Sequence, residues 1–224
     1  MQMKTILSGL LLPVVFAAAG CSSNLSSQKS VPVPLFDGKT FNGWEGDLNW
    51  FRIEDGAIVA GTLQKEIPYN VFLCTTKEYS DFELRLEAKL IGEGDNAGIQ
   101  FRTRRIPGDT EVSGYQADMG GESGQYDVVW GSLYDESRRS TMLEVAEQDA
   151  VETVLRPGDW NEYVIRCKEN HIQLWLNGHK TVDYIETDDS IEKTGIIGLQ
   201  IHSGPPSEAW YRNIMITELK NFKK

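Results

Sequence analysis

Histidine and cysteine are scarce in this chain, three of each in 224 residues. None of them cluster at the spacing a zinc site needs, so a Cys/His metal fold is excluded. Basic charge is also short. Twenty-two Lys and Arg face thirty-three Asp and Glu, for a formal net charge of −11. That balance argues against a nucleic-acid partner, which calls for a basic patch, and against electrostatic docking on anionic lipid. Helical periodicity is nearly missing. No repeat, linker or charge boundary divides residues 35–221, so neither a solenoid nor a split chain is expected. What is present is an ordinary globular balance, 40% hydrophobic and 25% charged, with six Trp and eight Tyr.

The N-terminus stands apart from the rest. Lys4 gives a positive start, Ile6 to Ala19 is apolar, and the run is too short to cross a membrane comfortably. It ends in Ala18-Ala19-Gly20-Cys21, small residues before a cysteine, as in a secretory signal. The pattern resembles a bacterial lipobox, which implies that Cys21 becomes the lipidated first residue. Residues 1–20 are therefore expected to be a signal peptide and 21–34 a polar tether. Residues 35–224 would form the domain, held at the cell envelope by the lipid alone. Cys74 and Cys167 each sit in a strand-like run, and either a disulfide or two buried thiols is compatible with an envelope compartment.

Short alternating runs bounded by Gly, Asp, Asn and Pro dominate the domain, which points to an all-β sandwich. Phe82, Leu84, Leu86, Ala88 and Leu90 alternate with Glu83, Arg85, Glu87 and Lys89, the clearest strand. Asp55-Gly56 and Asn177-Gly178 are tight hairpin signals, and Lys168–His171 is another turn. Asp135–Glu147 is either a helix or an irregular loop, and Asp188-Asp189-Ser190 is a candidate start for one helical turn. A large two-sheet sandwich with a grooved sheet is of the jelly-roll type.

Residues 96–139 carry the chemistry. In a strand, alternate residues face opposite sides. Gly98, Gln100, Arg102 and Arg104 then share a face opposite Ile99 and Phe101. Gln116 and Asp118 share a face opposite Tyr115 and Met119, and Trp130, Ser132 and Tyr134 align along a third run. Flat rings beside amides and guanidinium groups form a surface suited to a polar, ring-shaped ligand such as a sugar. The plain alternative is a polar face that meets water. Gln200 and His202 point away from Ile197, Leu199 and Ile201, and His202 has the proton affinity for acid–base work.

The motifs, in order, carry a resemblance. Pro34-Leu35-Phe36-Asp37-Gly38-Lys39-Thr40 with Gly43-Trp44, and Tyr79-Ser80-Asp81-Phe82-Glu83-Leu84, are two of them. Asn96-Ala97-Gly98-Ile99-Gln100-Phe101-Arg102, Gly114-Tyr115-Gln116-Ala117-Asp118 and Trp130-Gly131-Ser132-Leu133-Tyr134-Asp135-Glu136 follow. Gly198-Leu199-Gln200-Ile201-His202 and Tyr211-Arg212-Asn213-Ile214 complete the set. Together they resemble the 3-keto-disaccharide hydrolase domain family across nearly the whole domain. The resemblance implies a concanavalin-like jelly roll with a concave ligand-binding sheet, acting on glycosides with a ketone at C3. It also implies proton abstraction at C2, loss of the C1 substituent and addition of water, a route that needs a base, an acid and donors to an enolate. The candidate catalytic residues are Asp118, His202 and Glu87. Asp118 is otherwise a structural partner of Arg102 or Arg104, His202 a loop anchor, and Glu87 part of a salt-bridged face. The candidate substrate contacts are Arg102, Tyr115, Gln116, Trp130, Tyr134 and Gln200, with Tyr115 needing a bulge to join the others. No cofactor and no metal are expected, although Asp118, Glu122 and Asp127 offer oxygen ligands. The alternative function is a carbohydrate-binding lipoprotein without turnover.

Overall fold

The computed structural model describes Met1 and residues 31–121 and 127–219. In chain order the first strands are β1 (Val33–Pro34), β2 (Trp44–Gly46), β3 (Phe51–Glu54), β4 (Ala57–Thr62) and β5 (Val71–Thr75). Then come β6 (Phe82–Gly92), β7 (Asn96–Arg105), β8 (Val112–Gly120), β9 (Leu133–Glu136) and β10 (Thr141–Glu144). After the helix α1 (Gln148–Val154) follow β11 (Asn161–Lys168), β12 (His171–Leu176), β13 (His179–Ile185), β14 (Ile196–Ile201) and β15 (Ser207–Glu218). They form two antiparallel sheets. One runs β13-β12-β11-β6-β15-β4-β3, with β1 added beside β15, and the other runs β10-β9-β8-β7-β14-β5-β2. The result is a jelly-roll sandwich. The second sheet carries the candidate site and is called the site sheet below.

Period-two alternation explains the core. Phe82, Leu84, Leu86 and Ala88 of β6 and Tyr163, Ile165 and Cys167 of β11 point inward from one sheet. Ala97, Ile99, Phe101, Tyr115, Ala117, Met119, Ile197, Leu199 and Ile201 point inward from the other. Each fully buried side chain of this kind stabilises the fold by roughly 1.5–3 kcal/mol in transfer from water. Two tyrosines tie the layers together. Tyr211 Oη donates to the Gln200 carbonyl at 2.6 Å, and Tyr163 Oη donates to the Asp118 carbonyl at 2.6 Å. The phenol is thereby satisfied in the core, and the backbone beneath the outer face of the site sheet is pinned.

The tight turns form where Asn, Asp and Gly stand. Asp55 and Gly56 have φ of 49° and 74°, and Asn177 and Gly178 have 48° and 83°. Positive φ at both central residues is the type I′ geometry that matches strand twist. Residues 135–147 are not helical. They make the β9–β10 hairpin, because the buried Asp135 carboxylate draws Arg138 and Arg139 back onto itself and its carbonyl accepts from Ser140 N at 2.9 Å. Helix α1 begins only at Gln148, where the Glu147 side chain accepts from Ala150 N. Asp188–Ile191 is a turn closed by Ile191 N to Asp188 O at 3.2 Å, not the start of a helix. Cys74 and Cys167 are free buried thiols on different sheets. Cys21 and Glu122 lie outside the described residues.

Candidate active site

The outer face of the site sheet is built from cross-strand rows. Tyr134, Gln116 and Gln100 stand side by side on β9, β8 and β7, and Asp118, Gly98 and Gln200 form the next row across β8, β7 and β14. Gly98 is the low point. A Cβ there would lie 2.4 Å from Gln116 Cδ, so the missing side chain lets Gln116 lie flat across β7. A cleft of about 190 Å³ opens here, lined by Asn96, Gln116, Asp118, Tyr134, Glu136, Met142 and His202.

Four titratable groups line it: Asp118, Glu136, His202 and Tyr134. Asp118 is 5% exposed. Burial pushes its carboxyl up to about 8, against a lowering bond from Gln116 and with a further upward push from the Glu136 charge. Glu136 is also raised, first by burial, with His202, Ser137 and Gln200 pulling the other way. His202 Nδ1 lies 2.7 Å from the Ser203 carbonyl. A carbonyl only accepts, so Nδ1 carries a proton, and in the neutral tautomer the lone pair then lies on Nε2. The Ser203 amide in turn donates to Asn70 Oδ1 at 2.9 Å, which fixes the loop that orients the ring. Glu111, just before β8, is raised by burial and by the charge of Glu136, and His202 acts on it in the opposite sense. Gln200 Nε2 donates to Glu136 Oε2 at 3.3 Å, while Gln200 Oε1 is buried with no hydrogen-bond partner.

Among the sequence candidates, the structure brings Asp118, His202, Gln116 and Tyr134 to one cleft and sets Gln200 beside it. Four do not join them. Glu87 is on β6, on the outer face of the other sheet, where Arg212 Nε lies 2.9 Å from its carboxylate. Bonds from Arg212 and, more weakly, Asn213 hold it below the ordinary value for Glu, against burial, which raises it. Arg102 sits at a bulge with φ of 47° and turns into the interior, where it pairs with Asp81. Tyr115 points into the core and donates to Glu186 Oε2 at 2.7 Å. Trp130 belongs to a turn and not a strand, and its ring stacks on Tyr163 at 6.1 Å. Neither arginine pairs with Asp118, since Arg104 pairs with Glu78 and Glu192. Glu136 is the site residue that sequence reasoning passed over. The signal was available: it shares the parity, and hence the face, of Tyr134. Among the described residues no group of three or more His, Cys, Asp or Glu side chains is arranged to hold a metal ion.

Residues 31–217 match the family model of the 3-keto-alpha-glucoside-1,2-lyase-like domain. No curated protein matches the sequence. Among solved structures, the chain is similar to a provisionally assigned glycosyl hydrolase from Parabacteroides distasonis. The two are 24% identical over 84% of this chain and 100% of that one, with a TM-score of 0.60. It is also similar to the carbohydrate binding module CBM66 from Bacillus subtilis, at 10% identity over 78% and 95% of the two chains and a TM-score of 0.55. The exoplasmic/lumenal domain of VIP36 in its Ca2+/Man3GlcNAc-bound form shares 11% identity over 86% and 90%, with a TM-score of 0.60. At these identities the likeness is one of fold.

Proposed function

The chain belongs to the 3-keto-alpha-glucoside-1,2-lyase-like domain family, and from that premise we propose that its cleft cleaves glycosides oxidised to a ketone at C3. The observation that carries the reading is the meeting of Asp118, Glu136 and His202 in one cleft, with the Asp118 carboxyl held protonated near neutral pH. A ketone at C3 acidifies the C2 hydrogen. His202 Nε2 takes that proton, and the electron pair delocalises onto the C3 oxygen as an enolate. The Tyr134 hydroxyl, kept protonated by burial, is the donor for that oxygen. The enolate then collapses: the C1–C2 double bond forms and the bond from C1 to the leaving oxygen breaks. Asp118 gives that oxygen its proton. Addition of water at C1, with the water's proton passing to the Asp118 carboxylate and the His202 proton returned to C2, completes hydrolysis and resets both groups, whereas release of the enone makes the enzyme a lyase. Two carboxylates facing across a glycosidic bond are not required.

Incubation with a 3-keto-α-glucoside should release the aglycone, and His202→Ala should lower kcat by about 10²–10⁴-fold while leaving the fold intact. Binding of the sugar without release favours a carbohydrate-binding protein. Neither binding nor release removes the sugar reading altogether. In the same reading Cys21 anchors the domain at the cell envelope. Cys21→Ala should move the protein from the membrane fraction to the soluble one, and an unchanged distribution contradicts the anchor.

A further inference from the structure

Behind Asp118 runs a chain of hydrogen bonds that the elimination itself does not use. The Thr103 hydroxyl has its shortest acceptor in Gln100 Oε1 at 3.0 Å, with the Phe101 and Tyr115 carbonyls at 3.1 and 3.4 Å as competitors, while Gln100 Nε2 donates to Gln116 Oε1 at 2.5 Å and Gln116 Nε2 donates to Asp118 Oδ1 at 2.5 Å. Every member is buried: Gln100 is 0% exposed, Thr103 1% and Gln116 3%. All three donors point the same way, toward the carboxyl. We propose that Gln100, with Thr103 behind it, is a positioning residue that sets the direction of this chain and so reserves Asp118 Oδ2 for the transferable proton.

An amide side chain has one accepting and one donating end, and either end fits the same space. Gln116 alone could meet Asp118 with its carbonyl, accepting the acid's proton and hiding it from the substrate. Gln100 prevents this. Its own carbonyl is taken by Thr103, so it presents N–H groups to Gln116 and holds the Gln116 carbonyl away from Asp118. The donor is then left for Asp118 Oδ1. Two of the glycines packed against the chain keep its path open. A Cβ at Gly98 would collide with Gln116, and one at Gly114 would lie 2.5 Å from Thr103 Oγ1. Other ionisable groups face Asp118 and its surroundings from neighbouring elements: Glu136 and Tyr134 on β9, Tyr163 on β11, His202 after β14 and Glu111 before β8. None of them belongs to the chain.

The inference rests on Asp118 acting as the acid, and its test has a readout that does not depend on turnover. Gln100→Met keeps the length and removes both polar ends. Gln116 is then free to turn, and the protonated acid gains an acceptor. Asp118 should titrate about one pH unit higher, seen as a displaced pH dependence of thermal stability. With a 3-keto-α-glucoside, kcat should fall about tenfold or more, KM should stay within about twofold, and the alkaline limb should move up with the titration. Thr103→Val, which removes only the hydroxyl, should shift both in the same direction by less, and it decides the matter if Gln100→Met does not fold. An unmoved titration in a folded variant overturns the positioning role. If the wild type turns over no 3-keto-glycoside, the catalytic reading fails, while the stability titration still tests the chain itself.

Discussion

Asp118→Asn should cut turnover by orders of magnitude and, at pH 8, yield a protein more stable than the wild type. The cause is proton linkage. Burial raises the folded Asp118 carboxyl to about 8 from an ordinary value of 3.8. Between these values the unfolded chain has released the proton and the folded chain has kept it. The folded state then binds more protons, so unfolding becomes easier as pH rises. The stabilisation is complete below about pH 4 and is lost progressively up to about pH 8. A tenfold change in proton affinity is worth about 1.4 kcal/mol, so the loss amounts to a few kcal/mol across the window. The asparagine amide still accepts from Gln116 and carries no charge, so the variant's stability should stay flatter with pH. Glu136 and Glu111 are raised too and bend both curves alike, which is why the difference between the two proteins is the quantity to measure. Glu186 acts elsewhere on the scale. Burial raises it, but bonds from Arg139 and Tyr115 outweigh this and hold it at about 2, so its contribution fades as pH drops below 4.5 and is lost by about 2. Denaturation from pH 4.5 to 8.5 is the check, and parallel curves for the two proteins would falsify the buried, protonated acid. Loss of the proton donor should lower kcat by about 10²–10⁴-fold. In the wild type, kcat/KM should decline on the alkaline side from about pH 8, where the Asp118-linked loss of stability levels off.

The sequence made some of this legible and concealed the rest for local physical reasons. Alternation revealed β6, the inward Ile197, Leu199 and Ile201, and the shared face of Gln116 and Asp118, because a regular strand has a period of two. The Asp-Gly and Asn-Gly turns were readable because few residues tolerate positive φ. Alternation also marked Glu87 as outward, but outward from which sheet depends on topology, and β6 belongs to the other one. Arg102 shared parity with Gln100 until the bulge between Phe101 and Arg104 broke the count. Trp130 was counted as a strand residue although the strand begins at Leu133. The β9–β10 hairpin read as either a helix or an irregular loop because its decisive contact, a buried carboxylate closing on two arginines, is not a periodic pattern.

Arg102 carries the largest expected loss of stability. Its guanidinium donates to the Ser80 carbonyl at 2.9 Å, the Glu169 carbonyl at 2.6 Å and Asp81 Oδ1 at 3.1 Å. Ser80 and Asp81 lead into β6, and Glu169 is in the β11–β12 turn, so one side chain of the site sheet clasps two parts of the opposite sheet. The pair is dry, with side-chain exposures of 2% and 6%. Arg102→Ala leaves Asp81 buried without its cation, which should cost about 3–5 kcal/mol. For a chain of this size that lowers Tm by roughly 6–20 °C. Lys at this position keeps the charge but cannot span three acceptors as a planar fork, so Arg102→Lys should recover only part of the loss. Asp81→Asn in the Arg102→Ala background should restore stability relative to Arg102→Ala alone, because the stranded charge is gone while the Glu169 amide, 2.8 Å from Asp81 Oδ1, keeps an acceptor. Chemical denaturation of the wild type, the two single variants Arg102→Ala and Asp81→Asn, and the double variant closes the cycle. Additive losses would mean that the two side chains act independently, and a fully stable but inactive Arg102→Ala would return Arg102 to the substrate contacts from which its burial removes it.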